Sequence, residues 1–180
     1  MEDQKGWADF RRQWREVHLG IYAATLEIRA IEVTNNATGE APMLPCLLDQ
    51  IPADKIVASV SGDAAYDTKG CHEAVAKRGT QPIIPTRKNA KLGKDQGPRA
   101  TVRNAILAST RLLGRKISKK WSAYHRLSLV ETRMRCFRLL GERVMARDFD
   151  RQVAGLQVRA AILNRIARLG TPKTVTVTMP

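Results

Sequence analysis

The stretch 59–67, SVSGDAAYD, constrains this chain most, because it sets a carboxylate between a strand-like run and a helix-like one. Ile56, Val57, Ala58 and Val60 are apolar and rich in β-branched residues, Gly62 breaks the run, and Asp63 follows before a polar turn. A carboxylate at the C-terminal edge of a buried strand lies where open α/β sheets bind ligands, and it suits a hard divalent cation. The plainer reading is that Asp63 caps the next helix or pairs with a nearby cation.

The flanking pattern predicts the elements around it. Val17–Ala24 and Leu26–Thr34 read as two strands joined by a very short connection at Thr25, hence an antiparallel hairpin, with the alternation of the second slipping one place near Ile31. Residues 35–40, NNATGE, form a turn cluster, and Pro42–Ile51 reads as a short helix with Pro near its start. A helix over Thr68–Arg78 is ended by Gly79, and Gln81–Pro85 is a short strand. From Arg99 the pattern is helical with breaks. Phe149, Val153, Leu156, Ala160, Leu163 and Ala167 recur at helical spacing, with Asp148 or Asp150 to cap the start and Gly170 to stop the end. The order predicts an α/β sandwich, an antiparallel hairpin entering a partly parallel sheet, with a helical C-terminal part. Residues 1–16 do not read as a complete element, and residues 170–180 read as a flexible tail.

The length of 180 residues suits one domain. No run approaches a membrane span, and the start, MEDQKGWADF, has no apolar signal core, so the expected location is cytoplasmic, with no membrane partner. Cys46, Cys71 and Cys136 are odd in number and far apart, which argues against a disulfide framework or a metal-binding pair and for small core residues. Charge is the informative part. Lys77–Arg138 carries 17 Lys or Arg against two acids, while the rest of the chain has 14 basic and 15 acidic residues. A basic field so localised is the footprint of a polyanion partner, most often nucleic acid, although a solvated basic surface looks the same. Within it, residues 86–98, TRKNAKLGKDQGP, have no apolar pattern, so Arg87, Lys88 and Lys91 read as phosphate contacts on a loop.

Glu131 stands almost alone in that basic segment. On a continuous helix Leu127, Val130, Met134 and Phe137 make a core stripe, and Tyr124, Glu131 and Arg138, seven apart, share another face. Arg135, four residues on, could pair with Glu131, an arrangement worth only ~0.3–0.5 kcal/mol at a surface.

The GDAAYD block at 62–67, the CHEAVAKRG helix, the PIIPTRKNAK segment, the YHR, VET and Arg block at 124–138 and the RDFDRQVAGLQVRAAILN helix together resemble the C-terminal part of bacterial insertion-sequence transposases of the DDE type, from about Trp14 to Leu169. The resemblance implies an RNase H-like mixed sheet flanked by helices, over 17–169. It also implies three carboxylates that hold Mg²⁺ or Mn²⁺, of which Asp63 matches the second Asp and Glu131 the Glu, as catalytic and metal-binding residues. Tyr124 and Arg138 fall on the family's Tyr-Arg-Glu-Lys block, and Arg126 and Arg135 join them as DNA contacts. The implied activity is metal-dependent strand cleavage and strand transfer, with transposon ends and target DNA as partners. A homo-oligomer is implied for the full-length protein, and the implied place is the bacterial nucleoid.

The sequence also departs from the family. The first catalytic Asp belongs to a central first strand that would fall ahead of Met1. Asp3 and Asp9 have no strand-like flanks to replace it. Leu127 stands where the family block has Arg, Arg138 where it has Lys, and Tyr22 at an edge position often acidic. The expectation is a truncated transposase, not active alone, with two strand edges lacking a partner. The alternative is a non-catalytic DNA-binding remnant that modulates full-length transposase.

Overall fold

Alternating apolar residues on two adjoining runs leave one face of each strand to bury, and the chain satisfies both by folding back on itself. In a computed structural model that describes residues 14–93, 97–121 and 126–170, strands β1 (Arg15–Tyr22) and β2 (Glu27–Asn35) form an antiparallel hairpin. Its turn is closed by the Leu26 N–H, which donates to the Tyr22 carbonyl at 2.8 Å, with Leu26 at φ +58°. Gly20 partners Ala30 while Ile21 partners Ile28, so Arg29 is an extra residue that bulges from the ladder. The slip expected near Ile31 is therefore in the pairing two residues earlier. Ile28, Ala30 and Val33 are buried.

The outer edge of β2 is closed by side chains rather than by a strand. Asn164 accepts from the Ile28 N–H at 2.8 Å and donates to the Ile28 carbonyl at 2.9 Å. Gln50 holds Ile31 in the same way, at 2.9 and 3.1 Å. Each amide supplies the donor and acceptor that a neighbouring strand would supply. Asn164→Ala is expected to cost about 1–3 kcal/mol by leaving the partly buried Ile28 groups unpaired. Thermal unfolding should show it, at roughly 2–4 °C per kcal/mol.

Helices α5 (Leu127–Leu139) and α6 (Phe149–Leu169) cover the hairpin. Leu156, Ala160 and Leu163 of α6, a 4-3 stripe, meet Phe137 of α5 and Ile28 and Val33 of β2 in one core. Asp148 caps α6 by accepting from the Arg151 N–H at 3.0 Å, and Gly170 at φ +76° ends it. The expected stripe holds for α6, except that Phe149 at its first turn is 40% exposed and lies under the Arg15 guanidinium, 4.9 Å from the ring centre.

A second core is built from α1 (Met43–Asp49) and α2 (Lys69–Lys77), with Leu44, Leu48, Cys71 and Val75 buried between them. Thr68 caps α2 through the Cys71 N–H, and Gly79 follows its end at φ +65°. Beside it β3 (Ser59–Ser61) and β4 (Gln81–Ile83) pair in parallel, Val60 opposite Pro82. Helices α3 (Pro98–Leu113) and α4 (Arg115–Trp121) pack on one another, and α3 also packs on α2.

The protein is thus a mixed α/β chain, and the single partly parallel sheet expected is not formed among the described residues. Among the described residues the hairpin and the β3–β4 pair are separate two-stranded ladders. The run Ile56–Val60 is not a buried strand either: Ile56 is 97% exposed, and only Ser59–Ser61 pairs. Among the described residues β4 is the only strand paired with β3, and of the run Val57 and Val60 are half-buried, Val60 against the α1–α2 core. Cys46 is exposed rather than a core residue, Cys71 is buried, and Cys136 is half-buried; all three are free thiols. Residues 1–13 and 171–180 lie outside the described residues.

Candidate active site

Gly62 and Asp63 end β3 and start a single 3₁₀ turn, Ala64–Tyr66. Asp63 is extended, at φ −80° and ψ −175°, and its Oδ1 accepts from the Ala65 N–H at 2.8 Å. It therefore caps the turn, as the plainer reading expected. The cap uses one oxygen, and Oδ2 has no hydrogen-bond partner among the described residues. Gly62 leaves room for the Tyr66 ring: a Cβ there would lie 3.0 Å from its Cδ2, so the ring would have to give. The Tyr66 hydroxyl is pushed up to about 12, first by burial and then by the carboxylates of Glu40 and Asp63.

Four residues on, Asp67 is the best-held carboxylate of the region, and nothing in the residue pattern singled it out. Its side chain is 0% exposed. Oδ1 accepts from Arg103 Nε at 2.8 Å and bonds His72 Nε2 at 3.1 Å. Oδ2 accepts from Arg103 Nη2 at 3.2 Å and from the Arg87 N–H at 3.0 Å. Burial alone would raise its pKa, but the bonds from His72, Arg103 and the Arg87 N–H outweigh that and hold the carboxyl well below its usual range. Only its place within GDAAYD, with a His five residues later, hints at it in the sequence.

Arg87 has a second task. Its Nε donates to the Ala64 carbonyl at 3.3 Å and its Nη2 to the Ala65 carbonyl at 3.1 Å, so its guanidinium braces the turn that Asp63 caps. Arg87, expected as a phosphate contact, is exposed and has this contact to the turn as well. Lys88 and Lys91 are exposed on the loop beyond it.

Glu131 lies on α5, exposed. No ion pair joins it to Arg135, so the simple i,i+4 pairing is not formed among the described residues. Arg138 shares its exposed face, two turns on, and Arg126 and Arg135 are also exposed. Tyr124 lies outside the described residues. On α5 Phe137 is buried and Leu127, Val130 and Met134 are half-buried, as the stripe expected, but Arg133 is buried beside them, and its Nε and Nη2 have no hydrogen-bond partner among the described residues. One of the 17 cations of the basic segment is therefore interior.

Asp63 ends the β3–β4 ladder, whereas Glu131 sits on a helix packed against β1 and α6. Among the described residues no group of three or more His, Cys, Asp or Glu is placed to hold a metal ion. Asp63, through Oδ2, and Glu131 offer hard oxygen donors of the right kind, but not the full number among the described residues. No helix among the described residues is long and apolar enough to cross a membrane.

These features define a basic α/β domain with an accessible carboxylate at the end of a parallel strand. Residues 2–165 match the family described as "Transposase DDE domain", and the chain belongs to that family. No solved structure matches it.

Proposed function

We propose that the chain carries out, or contributes to, metal-dependent cleavage and strand transfer of insertion-sequence DNA, with Asp63 and Glu131 as two of three metal-binding carboxylates. The observation that carries this reading is Asp63 itself: a strand-end carboxylate in a chain of this family, fixed by one oxygen and open at the other, beside an exposed basic loop. Bound Mg²⁺ or Mn²⁺ would supply the clamp on attacking and leaving oxygens that in-line phosphodiester displacement needs. The chain's own residues orient: the turn at 64–66 fixes the Asp63 carboxylate, and Lys88, Lys91, Arg126, Arg135 and Arg138 offer cations for phosphates. Tyr124 belongs to the same proposed DNA-binding set. Among the described residues β1 and β3 each pair with one strand, which is compatible with an RNase H-like sheet in which a further strand, bearing the third carboxylate, lies between them.

The test is nicking of supercoiled DNA by the purified chain with Mn²⁺, beside Asp63→Asn. Nicking is expected to require Asp63. Nicking that survives the substitution would overturn the assignment. A second reading is favoured by the missing third ligand among the described residues: a non-catalytic DNA-binding chain that modulates full-length transposase. Salt-sensitive binding with no cleavage, unchanged by Asp63→Asn, is its signature.

The basic loop gives a separate expectation. Neutralising Lys88 and Lys91 together should reduce the slope of log K against log[salt] by about 1.8, near 0.9 for each phosphate no longer neutralised. Fluorescence anisotropy with labelled duplex at several salt concentrations measures it, and an unchanged slope rules the loop out as a phosphate-binding element.

A further inference from the structure

The second carboxylate of the GDAAYD block has no part in the mechanism above, yet no other side chain near Asp63 is so fully committed. We propose that Asp67 is a positioning residue: it locks the turn that orients Asp63 to the basic loop that follows β4. The proposal rests on Asp63 being the metal-binding carboxylate.

The connections are all direct. Asp67 takes the Arg87 backbone N–H, and the Arg87 side chain returns to the carbonyls of Ala64 and Ala65, the two residues after Asp63. Arg103 of α3 grips both Asp67 oxygens with Nε and Nη2, while its Nη1 donates to the Lys91 carbonyl at 3.0 Å. His72 of α2 closes the set from a third element. One carboxylate therefore ties together the Asp63 turn, the start of α2, both ends of the 87–91 loop and α3.

Stability alone is a poor reason for this arrangement, because a buried ion pair often contributes no more than apolar residues of the same volume would. What a side-on guanidinium–carboxylate pair adds is direction, since two parallel bonds fix both distance and angle. Here that direction is passed, through Arg87, to the peptide units that set the Asp63 side chain. Loss of the Asp67 charge should let the turn and the loop move independently.

The test reads the Ala65 amide, which donates to Asp63 Oδ1, by hydrogen exchange and proton shift in ¹⁵N-labelled protein without metal. Asp67→Asn is expected to speed Ala65 exchange at least about tenfold and to shift its proton signal. Val75→Ala is the control, because it hollows the α1–α2 core without touching the network. If Ala65 changes no more in Asp67→Asn than in Val75→Ala at matched loss of Tm, the residue is only a fold element and the proposal fails. Should Asp67→Asn not fold, Arg103→Gln removes the same grip from a partly exposed position, and Arg103→Lys should restore part of the protection. No metal enters this assay, so a failed metal assignment leaves its outcome intact.

Discussion

Asp63→Asn and Glu131→Gln are each expected to abolish Mg²⁺- or Mn²⁺-dependent DNA cleavage, whether the chain acts alone or with a partner that completes the carboxylate set. The basis is charge. A two-metal site stabilises the developing oxyanions by several kcal/mol, so loss of one anionic ligand should cost about 10³-fold or more in rate. Folding should hardly change. Asp63→Asn keeps an oxygen that can accept from the Ala65 N–H, and Glu131 is exposed and makes no ion pair among the described residues. DNA affinity should stay within about twofold, because the phosphate contacts come from cations elsewhere. Separate assays of nicking and of duplex binding check the two halves. Equal loss of both would mean that these carboxylates support the fold rather than the chemistry.

Asp67→Ala is expected to have the largest effect on stability, about 3–5 kcal/mol, since it leaves the Arg103 guanidinium and the Arg87 N–H without their acceptor. Arg103 is 22% exposed, so water recovers part of the cost and the lower end of that range is expected. Against a usual total of about 5–15 kcal/mol this is a large share. The sign of the pH dependence follows from the direction of the shift. The folded carboxyl is held below its unfolded value, so the folded state binds the proton less readily. The stabilisation is complete above about pH 4 and is lost as pH falls further. Urea unfolding between pH 7 and pH 3 should show a steep acid limb in the natural chain and a flatter one in Asp67→Asn. Parallel acid limbs would mean that Asp67 is not held as the structure holds it.

The elements legible in the sequence are those whose signal is local. The α6 helix is plain because its apolar residues recur from Phe149 to Ala167 between a capping Asp148 and a stopping Gly170. The hairpin is plain from its alternation, and α2 from Thr68 and Gly79. Elements that depend on a neighbour are not. Ile56–Val60 has the composition of a buried strand, but burial needs a second flanking strand; among the described residues β4 alone pairs beside it, and Ile56 is open to solvent while Val57 and Val60 are half-buried.

Polar residues with distant partners are equally opaque. Nothing in the residue pattern marks Asn164 or Gln50, yet they close the edge of β2 across 136 and 19 residues of sequence. Asp67 and Arg103 lie 36 residues apart, and Arg133 looks like any other cation of the basic segment although it is buried. For the site, the identities of Asp63 and Glu131 come from the family blocks. Their geometry does not, because no spacing tells that one Asp63 oxygen is spent on a cap, or that Arg87 faces the turn rather than solvent.

The most direct test of the central claim is a Mn²⁺ titration of ¹⁵N-labelled protein, followed by paramagnetic broadening of amide signals. If Asp63 and Glu131 hold divalent ions in a shared site, signals from Gly62 to Ala65 and from Val130 to Thr132 should broaden together at the same Mn²⁺ level. Asp63→Asn should then remove the first set and weaken the second. Broadening confined to other carboxylates, or left unchanged by Asp63→Asn, would contradict the claim that these two residues are metal ligands.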